Sequence, residues 1–296
     1  MPTAEKLRQL AYPRSKTALM QHLQTLVLRG NGWWVGGVVK QEKFERLMLK
    51  MAERYPLTRD ERGRAYDRSK GLASAHLVVY PTENGVSWWV LTSTGRGGLA
   101  DSASPDHHVA RHALAHDGHI HFEDYVMLYA HKKDARILTD ARTGKEKKLL
   151  KDCSTWTWKM TQAAYNGVMA VMEGEVNALS YGDDTCAAPY GLRGTLAYQR
   201  RRPLFSGIRT QVLQMHREAN SLWGLVHKKW LSRYTQLAQK YGSRAGQLRP
   251  LNEITAQHLP KMMRFKVFGA GTVGQLFSCQ PTITDGANDT TAVPTE

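Results

Sequence analysis

Six of the twelve histidines in this chain, His107, His108, His112, His116, His119 and His121, fall within fifteen consecutive positions. Imidazole is the side chain whose charge changes nearest neutral pH, so a cluster of this kind suits proton transfer or metal ligation. On a helix, His108, His112 and His116 share one face, and in a strand His119 and His121 point to one side. Two chemistries follow. Neutral imidazoles grouped with Asp106, Asp117, Glu123 or Asp124 bind a divalent ion. Alternatively, one imidazole takes the proton of a nucleic-acid hydroxyl while another protonates the leaving oxygen. A polar surface cluster beside a loop is the plain third reading.

A second chemistry-bearing stretch runs from Arg193 to Arg249, where Arg200, Arg201 and Arg202 lead into a long amphipathic segment. From Ser206, Ile208, Val212, Met215, Ala219, Leu222, Trp223, Val226, Trp230, Tyr234, Leu237 and Tyr241 recur at spacings of three and four, which places them on one helical stripe. Arg209, Arg217, Lys228, Lys229, Arg233 and Lys240 fall on the other side. Such a helix buries its aromatic stripe and holds cations along the opposite face, the arrangement a phosphate backbone requires; a solvated helix face is the bland alternative.

The whole chain leans the same way, with 41 Lys and Arg against 26 Asp and Glu and a formal net charge of +15 over 296 residues. A surplus of that size favours polyanionic partners and says nothing about fold. No run of roughly 18 apolar residues is present. The polar start, Met1 to Leu10, lacks a signal-peptide core, so an intracellular, cytoplasmic protein is expected. Cys153, Cys186 and Cys279 form no CxxC pair, which argues against a disulfide framework and a cysteine zinc site. No cofactor is implied.

These groups must be positioned by a mixed α+β fold. A helix over about Ser15–Leu28 ends at Arg29-Gly30-Asn31-Gly32, whose glycines permit the positive φ that stops a helix. Trp33–Val39 reads as a strand, and Phe44, Leu47, Met48, Met51 and Tyr55 mark a following helix. Leu72–Tyr80 and Val86–Thr94 read as two strands joined through Asn84-Gly85, a strong hairpin signal. Ser104-Pro105 then starts a short helix over Asp106–Ala115, and Tyr125–His131 is a fourth strand. Strand, helix, strand, strand, helix, strand is the βαββαβ order of ferredoxin-like domains. Such a sheet can present Trp33, Trp34, Trp88 or Trp89 to bases, although burial under helices is the commoner fate. Lys132–Lys151 reads as a basic hairpin or loop turning at Thr143-Gly144-Lys145.

At His119-Ile120-His121 the chain resembles the His-hydrophobe-His single-strand endonucleases that initiate plasmid replication and conjugation. That resemblance implies two histidines on a metal that polarises the scissile phosphate, and attack by a tyrosine on a separate helix. Tyr165, on the next expected helix, fits that role better than Tyr125, which falls in a strand.

Phe265-Lys266-Val267-Phe268-Gly269-Ala270-Gly271-Thr272-Val273-Gly274-Gln275-Leu276-Phe277 resembles the glycine-rich loop of the RAMP superfamily of CRISPR RNA-binding proteins. The loop is shorter than usual there and ends Phe277-Ser278-Cys279. The resemblance implies ferredoxin-like domains, a phosphate approached by Gly269, Gly271 and Gly274, and precursor guide RNA cut without metal through 2′-hydroxyl attack. On it, His119 or His121 promotes attack, while Arg200, Arg201, Arg202 and the basic helix hold the RNA. RNA is then expected ahead of DNA, with subunits of a ribonucleoprotein complex as companions.

The expected organisation is a ferredoxin-like α+β domain with an N-terminal helix over 1–150, a mainly helical basic region over 151–279, and a disordered tail over 280–296. Three functions remain open: a guide-processing endoribonuclease, a metal-dependent single-strand DNA nickase or replication initiator, and a non-catalytic DNA-binding protein of a mobile element.

Overall fold

The computed structural model describes the chain except for residues 1–2, 132, 140–145, 181–189, 242–258, 260–267 and 279–296. Of the remainder, it leaves aside the side chains at 3–4, 133–139, 146–152, 177–180, 190–191, 193, 226–241, 269–270 and 278. The expected tail over 280–296, Cys186, Cys279 and the turn at 143–145 lie outside the described residues. The chain has helices and antiparallel sheets, an α+β architecture, in two compact units. One comprises Met1–Ile120 with Arg264–Glu296, of which 268–278 are described, and the other His121–Met263.

In the first unit, α1 (Thr3–Arg8) and β1 (Ala11–Pro13) precede α2 (Lys16–Leu28). Ser15 caps α2, its Oγ accepting the Ala18 amide at 3.2 Å. The helix stops at Gly30, whose φ of +89° suits a residue without Cβ. Gly32 has a different reason: a Cβ there would lie 3.0 Å from His112 Nε2. β2 (Trp33–Val39) and α3 (Gln41–Arg54) follow, α3 burying Phe44, Met48 and Met51 at helical spacing. The sequence reading missed α4 (Glu61–Ser69), which buries only Asp67 and is capped by the Asp60 carboxylate on the Gly63 amide. β3 (Ala75–Thr82) and β4 (Gly85–Thr92) form the expected hairpin, with Gly85 at φ +127° and no room for a Cβ beside Val39 O.

β4 pairs antiparallel with β3 on one side and β2 on the other, and β5 (Arg111–His112) pairs with β2 to complete the order β3-β4-β2-β5. The first half of the expected topology, a strand and helix returning to a hairpin with the third strand central, is therefore formed. Its second half is not. Asp106–Ala115 is no α-helix but a 3₁₀ turn at His107–Val109 followed by β5, and a second 3₁₀ turn spans His116–Gly118. Pairing of Arg111 with Trp34 and His112 with Trp33 draws this segment into an extended edge, a tertiary demand that overrides the first-turn proline.

Nor is the sheet open. β4 is buried along both faces: Val86, Trp88 and Val90 join Phe44, Met48 and Met51 in one core, while Trp89 and Leu91 are buried on the other side. Trp34 is buried and its Nε1 donates to Gly118 O at 2.7 Å; Trp33 packs edge-on to His112. β11 (Phe268–Thr272) pairs with β1, and α8 (Gln275–Ser278) sends Leu276, with Val273 before it, into the same core as Trp88.

In the second unit, β6 (Ile120–Phe122), β7 (Tyr125–Ala130) and β10 (Thr155–Met160) form a three-stranded sheet in the order β10-β7-β6. The expected fourth strand thus forms, as β7, but in a sheet of its own. Between β7 and β10, β8 (Lys133–Thr139) and β9 (Glu146–Asp152) make an antiparallel hairpin where a basic loop or hairpin was expected. Three helices follow, α5 (Gln162–Ser180), α6 (Tyr190–Gln199) and α7 (Ser206–Tyr241). Of the expected stripe, Ile208, Val212, Met215, Ala219 and Trp223 are buried, and the stripe beyond Leu225 lies outside the described side chains. Gln211 closes the edge of β10: its Oε1 accepts the Met160 amide at 2.7 Å and its Nε2 donates to Met160 O at 3.2 Å.

Candidate nucleic-acid interface

The turn between α6 and α7 carries the arginine run. Arg200 and Arg201 are exposed and make no ion pair with a described residue. Arg202 differs. Its Nη1 donates to Tyr125 Oη at 2.9 Å, its Nε donates to Gln199 Oε1, and Nη1 lies 3.9 Å from Asp124 Oδ2. A planar guanidinium held through Nη1 and Nε is a fixed group, and with five N–H donors it has some left over. Burial pushes the Tyr125 phenol above its ordinary pKa, against the pull of Arg202. The expected triplet therefore divides into one anchored cation and two that pair with no carboxylate among the described residues.

Arg202 lines a cleft of about 460 Å³ between α5 and α6. α5 contributes Ala164, Gly167, Val168 and Val171, spaced to share one helical face. Gly194, Thr195, Tyr198 and Gln199 come from α6, and Asp124 from the two-residue turn between β6 and β7. In that turn Glu123 holds a φ of +49°, a left-handed conformation costly for a residue with a Cβ. Tyr198 and Val171 are exposed large side chains on the cleft wall, at 64% and 52%. The cleft thus joins an apolar wall, an aromatic ring, a carboxylate and a fixed guanidinium, with two exposed arginines next in the chain.

Along α7, Arg217 is exposed and Arg209 half-buried, neither with an ion-pair partner among the described residues. Lys228, Lys229 and Arg233 belong to α7, but their side chains lie outside those described. His216 is buried, with Nε2 lacking a hydrogen-bond partner, and its pKa is lowered to about 4 by burial and then by Arg200.

The expected catalytic residues fare differently. Tyr165 is on α5, as expected, but its hydroxyl is buried without a partner and burial raises its pKa, with Glu218 adding. That phenol is withheld from solvent. His121 is exposed on β6, and His119 precedes the strand with its ring 5.8 Å from that of His116. Without a helix over 106–115, His108, His112 and His116 do not share a helical face. His107 Nδ1 lies 3.1 Å from Leu99 O. Asp106, a suggested metal ligand, is engaged through both oxygens, by Arg54 at 2.5 Å and by the Tyr55 hydroxyl at 2.9 Å. Among the described residues, no group of three or more His, Cys, Asp or Glu side chains is placed to hold a metal ion.

The glycine-rich segment also differs from a phosphate cradle. The amides of Thr272, Val273 and Gly274 donate to Gln275 Oε1, Leu10 O and Arg8 O. A Cβ on Gly271 would collide with Gln275 and Tyr12, and one on Gly274 would press on Arg8. Close packing within the first unit accounts for both residues; Gly269 lies in β11.

The residues that the sequence reading overlooked are Tyr198, Gly167 and Gly194. A signal existed for the first, since Tyr198 stands two residues before the run Arg200-Arg201-Arg202, and nucleic-acid surfaces pair aromatics with basic residues. No described helix is long and apolar enough to cross a membrane. Compared with protein-family models, curated proteins and solved structures, the chain matches none.

Proposed function

We propose that this protein binds single-stranded nucleic acid through its second unit, with RNA ahead of DNA. The observation that carries the reading is the pair Arg200 and Arg201, exposed and without an ion-pair partner among the described residues where α6 gives way to α7, in a chain of net charge +15. An exposed arginine without a carboxylate partner is free to take a phosphate, whereas one already in an ion pair must first lose it. Arg217 extends the same chemistry onto α7. Tyrosine attack on a metal-held phosphate finds no support among the described residues, where Tyr165 is sequestered and no metal-binding group is assembled.

Binding should weaken linearly in log affinity against log salt, with a slope set by the number of phosphates contacted. The double variant Arg200→Ala/Arg201→Ala should lower affinity for a labelled oligonucleotide and flatten the slope by about 1 to 2. Replacing Lys147 and Lys148 of β9 should do less. Anisotropy titrations over a range of salt, on RNA and DNA of one sequence, check this; equal losses from the two pairs would count against the assignment.

A further inference from the structure

The cleft between α5 and α6 has features that phosphate binding does not use. Gly167 and Gly194 sit within helices and line it, and a Cβ at either would meet nothing within 4 Å. Glycine weakens a helix interior relative to alanine, and here no packing against the described residues accounts for it. Gly174 is equally open without lining the cleft, so the glycines alone decide nothing. What distinguishes this site is the company they keep: the exposed Tyr198 ring, and the Asp124 carboxylate and Arg202 guanidinium 3.9 Å apart, all in its lining.

We propose that this cleft receives one unstacked base of the bound strand, laid against Tyr198, while the flanking phosphates lie on Arg200 and Arg201. The inference rests on the nucleic-acid reading above and names the part of the ligand that enters the site. Every base has an apolar π-face for the tyrosine and the apolar wall, and an edge bearing neighbouring donors and acceptors. Arg202 offers donors to that edge and Asp124 an acceptor. The charge pattern selects a nucleotide over an apolar peptide or lipid chain, since two exposed cations follow in the chain on a groove whose one carboxylate among the described lining residues lies at the anchored arginine. A base still stacked in a duplex cannot reach the wall, so the site requires single strands.

The test uses the full chain and two fluorescein-labelled probes, a twelve-residue oligouridylate and an RNA duplex of the same length. The single strand is expected to bind about ten-fold or more tightly than the duplex. Tyr198→Ala should lower single-strand affinity about ten-fold with the salt slope unchanged, and Tyr198→Phe should keep most of it. Gly167→Leu should fill the groove and weaken single-strand binding comparably, while its unfolding temperature stays at or above that of the parent. Equal affinity for the two probes, or both Tyr198→Ala and Gly167→Leu within two-fold of the parent, would overturn the base site and leave phosphate binding standing. A parent protein that binds neither probe would overturn both readings.

Discussion

At the scale of the residue, the histidines divide by environment. Burial, reinforced by Arg29 and Arg64, lowers the pKa of His22 to about 4. Burial lowers that of His76 to about 3, with Arg64, His22, Arg68 and Arg29 adding to the effect. In the unfolded chain each takes a proton near 6.5. Below that pH the unfolded state binds more protons than the folded one, so stability falls on acidification through the interval from about 6.5 down to the folded values, and is unaffected above it. Urea unfolding should therefore show a loss between pH 7 and pH 5 on the order of 1 kcal/mol for each such histidine. His76→Gln should reduce that difference; an identical pH dependence in parent and variant would show that His76 is not held neutral. Asp106 teaches the converse lesson. A carboxylate among histidines reads as a ligand, yet Arg54 and Tyr55 use both of its oxygens and its role is to tie the 99–110 segment to the end of α3.

Among the elements, those with strong local signals were legible. Ser15 and Gly30 bound α2, Asn84-Gly85 turns the β3–β4 hairpin, and the apolar spacing from Ile208 makes α7. α4 was not legible because its charged sequence has no apolar period, and it is held by the Asp60 cap and by Arg59 against Asp67 at 3.4 Å. The expected helix over 106–115 failed for the opposite reason: its local signal was present, but pairing with β2 uses the same backbone groups. Two helix glycines give a contrasting prediction. Gly174→Ala on α5 meets nothing within 4 Å and should stabilise the protein by up to about 1 kcal/mol. Gly207→Ala would place a Cβ 2.5 Å from Trp158 O, where α7 meets β10, and should cost about 2 kcal/mol or more. Chemical unfolding of the two variants checks both signs.

For the whole molecule, the consequential feature is that the first unit is built from both ends of the chain. Val273 and Leu276 are buried in its core, and the Val273 and Gly274 amides donate to Leu10 and Arg8. Removing residues 264–296 should therefore destabilise that unit by about 3 kcal/mol or more, from the two apolar side chains alone. Differential scanning calorimetry would show its transition lowered; a truncated chain melting like the parent would contradict the arrangement. The same closure explains why the glycine-rich segment resembles a phosphate loop in sequence and yet spends its amides internally.

By itself the sequence determined the excess of positive charge, the long amphipathic helix and most of the local elements, because these depend on residue type and near-neighbour spacing. Only the tertiary structure decided that β7 leaves the sheet of β2–β4 for one of its own, that Arg202 is anchored while Arg200 and Arg201 are exposed, and that Tyr198 faces a cleft. Strand partners, burial and ion pairing join residues far apart in the chain, where spacing along it carries no information.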